Sequence, residues 1–180
     1  GNLGDSLLSI AQPRKAREYT QRAADIFRAA YGPSHPDVAM ALTNLVATDL
    51  ALGEPRRALG LAREALASAE ASMEATNPIL AYHLTSLGGA LVACEQFDLA
   101  IAPLERALRL RQSPNDPAML AEPELLLARA LWGARRDRPR AVAGAEQARD
   151  RMASAPADPT GLRGEIDAWL ARVRAGSRTR

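Results

Sequence analysis

The feature that most constrains the fold is an internal period of 42 residues. When the sequence is displaced by this distance, residues 44–66 (NLVATDLALGEPRRALGLAREAL) fall on residues 86–108 (SLGGALVACEQFDLAIAPLERAL). The opposite displacement brings residues 2–24 into the same register, and a fourth copy at 127–148 fits with a loop one residue longer. Such a period is typical of stacked repeats, in which each unit needs its neighbours to bury its apolar face.

Within each copy the apolar residues follow a helical spacing. Val38, Leu42 and Leu45 recur at intervals of four and three residues, and the next copy repeats the pattern from Leu80. A polar break follows, and a second amphipathic segment begins near Ala58. Apolar residues make up 47% of the chain but aromatic residues only 4%, which favours close-packed helices over a sheet. The sequence therefore predicts an all-α array of antiparallel helical hairpins.

The segment YGPSHPDVA (31–39) lies where one unit meets the next. His35 could be a metal ligand, but a metal site needs several converging ligands, and His83 occupies a non-matching place in the next unit. Asn77 takes the position of His35, and a proline follows each of them. Both side chains can cap the start of a helix. We expect His35 to be a structural cap rather than part of a ligand site.

No pattern in the sequence indicates chemistry. HExxH, GxSxG and phosphate-loop motifs are absent, and LGGA (87–90) indicates tight helix packing. Cys94 is expected to be a quiet, partly buried thiol; as the only cysteine it cannot form a disulfide within the chain, which suits a reducing, cytoplasmic compartment. We expect no enzyme activity in this segment, and no cofactor or metal.

Charge and hydropathy narrow the classes of partner. The net charge of +2 and the interspersed Arg and Glu argue against nucleic-acid binding. No apolar run approaches the roughly 20 residues that a membrane span needs, so membrane insertion is not expected. A protein or peptide partner remains the expected ligand.

The residues NL…G…A….A, preceded by HPDVA (35–39), resemble the tetratricopeptide repeat. The resemblance is to the 42-residue form found in kinesin light chains and many bacterial proteins, and it covers residues 2 to about 153. It implies a right-handed superhelical solenoid that binds protein partners. Residues 127–152, followed by EIDAWLARVR (165–174), resemble the C-terminal repeats of myxobacterial serine/threonine protein kinases, although no glycine-rich loop, HRD or DFG is present.

Three residues depart from the repeat pattern. Asp49 places a carboxylate where the matching positions hold leucine, and Pro55 replaces an aromatic residue that Phe97 retains. Pro123 falls in the first turns of the fourth unit, so its helix is expected to start late or to be kinked.

In tetratricopeptide arrays the first helix of each hairpin lines the concave surface. The resemblance places the following residues in that groove: Asn2, Asp5, Met40, Thr43, Asn44, Ala47, Tyr82, Thr85, Ser86, Gly89, Glu122 and Arg129. In kinesin light chains the asparagine that matches Asn44 contacts the main chain of a bound peptide, for which an amide is suited because it both donates and accepts. The alternative is that Asn44 only satisfies a neighbouring helix. Arg129 is the only cation in the set, which disfavours a clamp for a terminal carboxylate.

The predicted organisation has three parts. Residues 1–155 form about four hairpins, of which the first is truncated because it begins within its first helix. Residues 156–175 form a C-terminal capping helix that begins at Asp158 and Pro159 and packs through Trp132 and Trp169. Residues 176–180 form a basic tail that is expected to be disordered.

The expected function is a protein-interaction module, the sensor or docking region of a bacterial serine/threonine kinase. One alternative is the repeat region of an NTPase-type regulator or transcription factor. Another is a scaffold that self-associates through exposed repeat ends and has no peptide ligand.

Overall fold

The computed structural model describes residues 13–111, 118–155, 158 and 160–178. Within these residues it contains eight α-helices and no strand. The helices are α1 (Pro13–Tyr31), α2 (Pro36–Ala51), α3 (Pro55–Ser72), α4 (Leu80–Ala93), α5 (Phe97–Leu110), α6 (Ala118–Gly133), α7 (Arg138–Ser154) and α8 (Leu162–Arg178).

The helices pack in the order in which they follow one another along the chain. Helices α2 and α3, α4 and α5, and α6 and α7 form three hairpins, and each second helix also contacts the first helix of the next unit. The first helices α2, α4 and α6 contact one another in turn. This is the neighbour-on-neighbour packing of a helical repeat array, so the predicted fold class is confirmed.

Three hairpin turns share one backbone geometry. The residue after each helix C-cap has a positive φ: 74° at Gly53, 58° at Glu95 and 56° at Arg135. The next amide in each turn donates to a carbonyl five residues back at 2.9 Å, from Glu54 to Asp49, from Gln96 to Leu91 and from Arg136 to Leu131. This is the Schellman pattern, which ends a helix by satisfying its last carbonyls.

The helix starts follow from the residues that precede them. Pro36 and Pro55 lie in the first turns of α2 and α3, where the missing N–H costs nothing. The turn before α7 has one extra residue, Asp137, as the longer loop predicts, and its carboxylate accepts from the Arg140 amide at 3.1 Å.

Small residues allow the helices to approach closely. Buried alanines line the second helices: Ala58, Ala62, Ala65 and Ala69 on α3, Ala100 and Ala107 on α5, and Ala141, Ala145 and Ala148 on α7. A Cβ on Gly88 would overlap the Leu104 side chain, so LGGA is a close helix contact, as predicted. Leu87 is only partly buried, whereas Leu84 and Leu104 lie in the core.

Pro123 lies inside α6 without delaying it. The helix begins at Ala118, so it does not start late, and the alternative expectation of a kink at Pro123 stays a prediction. Proline has no N–H to donate to the carbonyl four residues earlier, which is that of Met119. The Arg111 guanidinium donates to this carbonyl instead. The unmet acceptor is therefore satisfied from the preceding unit.

Helix α8 closes the array, as predicted. The Asp158 carboxylate accepts from the amides of Leu162 (2.9 Å) and Arg163 (3.0 Å), which caps the helix. The Trp132 and Trp169 rings meet edge to face, with centroids 5.9 Å apart. Pro159 lies outside the described residues. Because α8 continues to Arg178, residues 176–178 are helical rather than a disordered tail.

Candidate interaction groove

Most of the groove residues implied by the resemblance fall on one face of α2, α4 and α6, which we call the groove face. One row holds Met40, Tyr82 and Glu122, all exposed. The next row holds Asn44 and Ser86, both half-buried, and the third holds Ala47, Gly89 and Arg129, none of them buried. Asn2 and Asp5 lie outside the described residues.

The row at Met40 and Tyr82 presents apolar surface. The two side chains are 38% and 41% exposed, which is high for large apolar groups. The Arg111 guanidinium lies 4.0 Å from the centre of the Tyr82 ring, and the Tyr82 hydroxyl is 3.9 Å from the sulfur of Met119. The resemblance missed Arg111 because that residue follows α5, outside the first helices.

Asn44 lies between the exposed residues Met40 and Ala47 on α2. Its backbone carbonyl accepts from the Thr48 hydroxyl at 2.9 Å. Among the described residues, its side-chain amide has no hydrogen-bond partner. A Cβ built on Gly89 of α4 would meet the Leu126 side chain of α6 at 3.5 Å, so α6 packs beside Gly89. The described neighbours therefore do not use the donor and acceptor of Asn44.

The two threonines among the groove residues form hydrogen bonds within the protein. The Thr43 hydroxyl is 2.7 Å from Nδ1 of His83 and so links α2 to α4. Thr85 is 5% exposed, and its hydroxyl donates to the Ala81 carbonyl at 2.7 Å. Thr85 therefore offers almost no surface to a ligand. Its place in the groove, which the resemblance implied, is wrong.

Charged groups gather at the α6 end of the groove face. Arg129 is 3.0 Å from the Glu165 carboxylate of α8, so the capping helix reaches this end of the face. Glu122 is exposed one row away. Since Arg129 is paired, no cluster of free cations exists here for a terminal carboxylate among the residues the structure describes.

A second ion pair links α6 to α7. Glu124 is 7% exposed, and Nε of Arg151 contacts both of its carboxylate oxygens, at 2.9 and 3.0 Å. Burial raises the pKa of Glu124, and the hydrogen bond from Arg151 opposes that shift. Glu124 was not among the predicted residues; its signal in the sequence is a carboxylate at a register position where Leu42 and Leu84 are buried.

The remaining candidates behave as structural residues. His35 is the N-cap of α2, and its Nδ1 accepts from the Asp37 amide at 3.2 Å. The predicted capping role of His35 is confirmed. The Asn77 side chain accepts from the Ile79 amide at 2.9 Å, but this bond lies in the turn before α4, whose N-cap Ile79 has no side-chain cap bond. Cys94 is partly buried at the end of α4, as expected.

Within the described residues, no cluster of three or more His, Cys, Asp or Glu side chains could hold a metal ion. No helix among these residues has the length and apolar character that crossing a membrane requires.

The profile of the tetratricopeptide repeat family matches residues 1–71. The matched segment carries tetratricopeptide repeats. No curated protein sequence matches it at a significant level.

Solved structures extend the likeness in fold beyond the matched segment. A kinesin-light-chain-like protein of Podosopora anserina with nearly identical repeats is 19% identical, with a TM-score of 0.72 over 99% of this chain and 85% of that one. BtubC from P. vanneervenii is 24% identical, with a TM-score of 0.71 over 87% and 64%. MamA from Desulfovibrio magneticus is 17% identical, with a TM-score of 0.55 over 98% and 86%. At these identities the matches show a shared fold.

Proposed function

We propose that the groove face binds an extended segment of a protein partner. Tetratricopeptide repeats generally act as protein-interaction modules without catalysis, which supplies the class of function. The observation that carries the proposal is Asn44, whose side-chain amide has no partner among the described residues although it lies between exposed Met40 and Ala47. An amide in this setting can pair with a peptide main chain, whatever the peptide's sequence.

The neighbouring groups have complementary roles in this proposal. Met40 and Tyr82 offer apolar contact to side chains of the bound segment. At the α6 end of the groove face, Glu122 and the Arg129–Glu165 pair would select among charged side chains of the bound segment. Asn2 and Asp5, which precede α1 in the first unit, are part of the proposed groove.

The proposed parent is a bacterial, cytoplasmic serine/threonine protein kinase that carries this array as its sensor or docking region. The resemblance of residues 127–152 and 165–174 to myxobacterial kinase repeats supports this context. The gene sequence upstream of the codon for Gly1 tests it. A kinase catalytic loop there would support the proposal, and a P-loop would favour an NTPase-type regulator.

Peptides selected from a display library on the wild-type array test the groove. Asn44→Ala should weaken the binding of a selected peptide about 5- to 30-fold, because one or two hydrogen bonds to its main chain are lost. N-methylation of the peptide amide that Asn44 contacts should weaken binding to the wild type but not to the variant. Calorimetry measures both effects.

Gln147→Ala is the matched control, since it truncates an exposed amide on α7, away from the groove face. It should leave the affinity unchanged. If Asn44→Ala lowered the melting temperature and left peptide affinity intact, Asn44 would be a packing residue and the proposal would fail. Concentration-dependent association of the array without any selectable peptide would favour the self-association scaffold.

A further inference from the structure

A cavity of about 540 Å³ opens beside the turn between α4 and α5. Its apolar wall comes from Pro55, Leu59 and Gly60 of α3 and from Ala93 and Cys94 at the end of α4. A Cβ built on Gly60 would meet no atom within 4 Å, so the space above this helix is open. The cavity does not involve the groove face.

The equivalent place one repeat later is filled by an aromatic ring. In the repeat register Phe97 corresponds to Pro55, and Gly133 corresponds to Ala93. A Cβ on Gly133 would lie within 2.6 Å of carbon atoms of the Phe97 ring, which shows how closely the ring covers the end of α6. The cavity at Pro55 is therefore the site of a ring that this repeat lacks.

The charges around the two places also differ. Beside Phe97, Arg136 pairs with Asp98 and Arg140 pairs with Glu105, each at 2.7 Å. Both carboxylates are thus neutralised within the chain.

Around the cavity the corresponding charges are cationic and unpaired. Arg56 takes the position of Asp98, and Arg63 takes that of Glu105. Both are exposed, both line the cavity, and neither forms an ion pair with a described residue. Glu95 and Gln96 complete the rim, so the cations exceed the acidic groups by one. The cavity lies where the next repeat has a Phe ring, and the unpaired guanidinium groups of Arg56 and Arg63 border it. It therefore fits an aromatic side chain with carboxylates beside it.

We propose that this cavity is a second protein-binding site, which takes an aromatic side chain of a protein partner while Arg56 and Arg63 pair with acidic residues next to it. The site is separate from the groove face and does not depend on it. The α3 helix supplies both cations, and the α4–α5 turn supplies the opposite rim.

Cys94 provides the test, because it lines the cavity and is the only cysteine. Disulfide-linked probes are equilibrated with the full chain against rising β-mercaptoethanol, and intact mass spectrometry measures the fraction retained. The probes are the peptide acetyl-Cys-Gly-Phe-Asp-Glu-amide, the same peptide with Leu for Phe, the same with Asn and Gln for the acids, and 4-(mercaptomethyl)benzoate. We expect the Phe-Asp-Glu peptide to resist about tenfold more β-mercaptoethanol than the Leu or neutral peptide.

Two variants identify the source of that preference. Pro55→Phe supplies the ring that the next repeat already has, so it should fold and should abolish the preference for Phe over Leu. The double variant Arg56→Gln, Arg63→Gln should abolish the preference for the acidic over the neutral peptide while keeping the preference for Phe. Asn44→Ala, which affects the groove, should change neither.

Equal retention of all three peptides by the wild type would overturn the proposal. So would a Pro55→Phe variant, folded by circular dichroism, that still prefers Phe. If 4-(mercaptomethyl)benzoate were retained as strongly as the acidic peptide, the occupant would be a small aromatic acid and the protein partner would be rejected.

Discussion

Asp49 is fully buried on α2, at a position where later repeats carry Leu91 and Leu131. Nε of Arg17 and Nε of Arg57 lie 3.2 and 3.1 Å from its carboxylate oxygens, as ion pairs that lack hydrogen-bond alignment. Burial raises the pKa of Asp49, and Arg17 opposes this shift. Removing either arginine would leave a buried charge with less compensation, which is costly in a helical interface.

His83 makes the stability of the protein depend on pH. Its ring is fully buried, and burial lowers its pKa below 6.5. The unfolded chain then binds a proton that the folded chain does not, so His83 lowers the free energy of unfolding as the pH falls through about 6.5, by at most ~1.4 kcal/mol per pH unit. Urea denaturation at pH 8.0 and 5.5 measures the change.

His83→Gln should lose less stability than the wild type between these two pH values. His35→Gln is the control, because it removes the only other histidine, which caps α2 at the surface, and it should keep the wild-type dependence. Identical pH dependence in the wild type and in His83→Gln would show that His83 is not the group responsible.

At the scale of helices and turns, the repeats keep a geometry while changing the residues that carry it. Gly53, Glu95 and Arg135 hold the same left-handed position, yet only glycine adopts it without steric cost. On the second helices, Arg28 pairs with Glu64, and one repeat later Glu70 pairs with Arg106. These are the same two positions with the charges exchanged.

The turns predict opposite effects for two substitutions. Glu95→Gly should raise the free energy of unfolding by up to about 1 kcal/mol, because it relieves the left-handed strain of a residue with a Cβ. Gly53→Ala should lower it by about 1 kcal/mol, because it introduces that strain. Chemical denaturation measures both. A stabilising effect of Gly53→Ala would mean that the shared turn geometry is wrong.

The exchanged ion pairs predict that charge order does not matter at this contact. Arg28→Glu should cost about 0.2–1 kcal/mol, since it places two carboxylates together at a partly exposed site. Adding Glu64→Arg should restore part of the stability, because the double variant reproduces the order of Glu70 and Arg106 but leaves the new glutamate beside Asp25, which Arg28 contacts at 3.7 Å. Denaturation at low and high salt measures the effect, and 1 M salt should shrink it. A double variant no more stable than Arg28→Glu would contradict the equivalence.

At the scale of the whole molecule, the core is continuous across units rather than closed within one. One buried cluster runs from Val46 on α2 to Val173 on α8. Because each unit contacts only its neighbours, stability is expected to be a sum of local terms. Damage at one end should therefore remain near that end.

Trp169→Ala tests this locality. The ring is 6% exposed and packs on Trp132, so its removal should cost about 3–5 kcal/mol. Hydrogen exchange should show lost protection in α6, α7 and α8, while α2 and α3 keep theirs. Leu42→Ala is the matched control and should reverse the pattern, with the loss in α2 and α3. A uniform loss along the chain in both variants would mean that the array unfolds as one cooperative unit.

The sequence by itself determined the repeat, the hairpins, the capping role of His35 and the closing helix. These features follow from periodicity and from residues close together in the chain, so a 42-residue register is enough to find them. The resemblance, applied without the structure, placed Thr85 in the groove, because spacing along the chain does not show which positions of a helix are buried.

Only the tertiary structure decided which distant side chains meet. The guanidinium of Arg111 on the Met119 carbonyl, the pairing of Glu124 with Arg151 and the empty place at Pro55 each depend on side chains from different helices. Their positions follow from how closely the backbones pack and from the reach of each side chain. Neither quantity is contained in the spacing of residues along the chain.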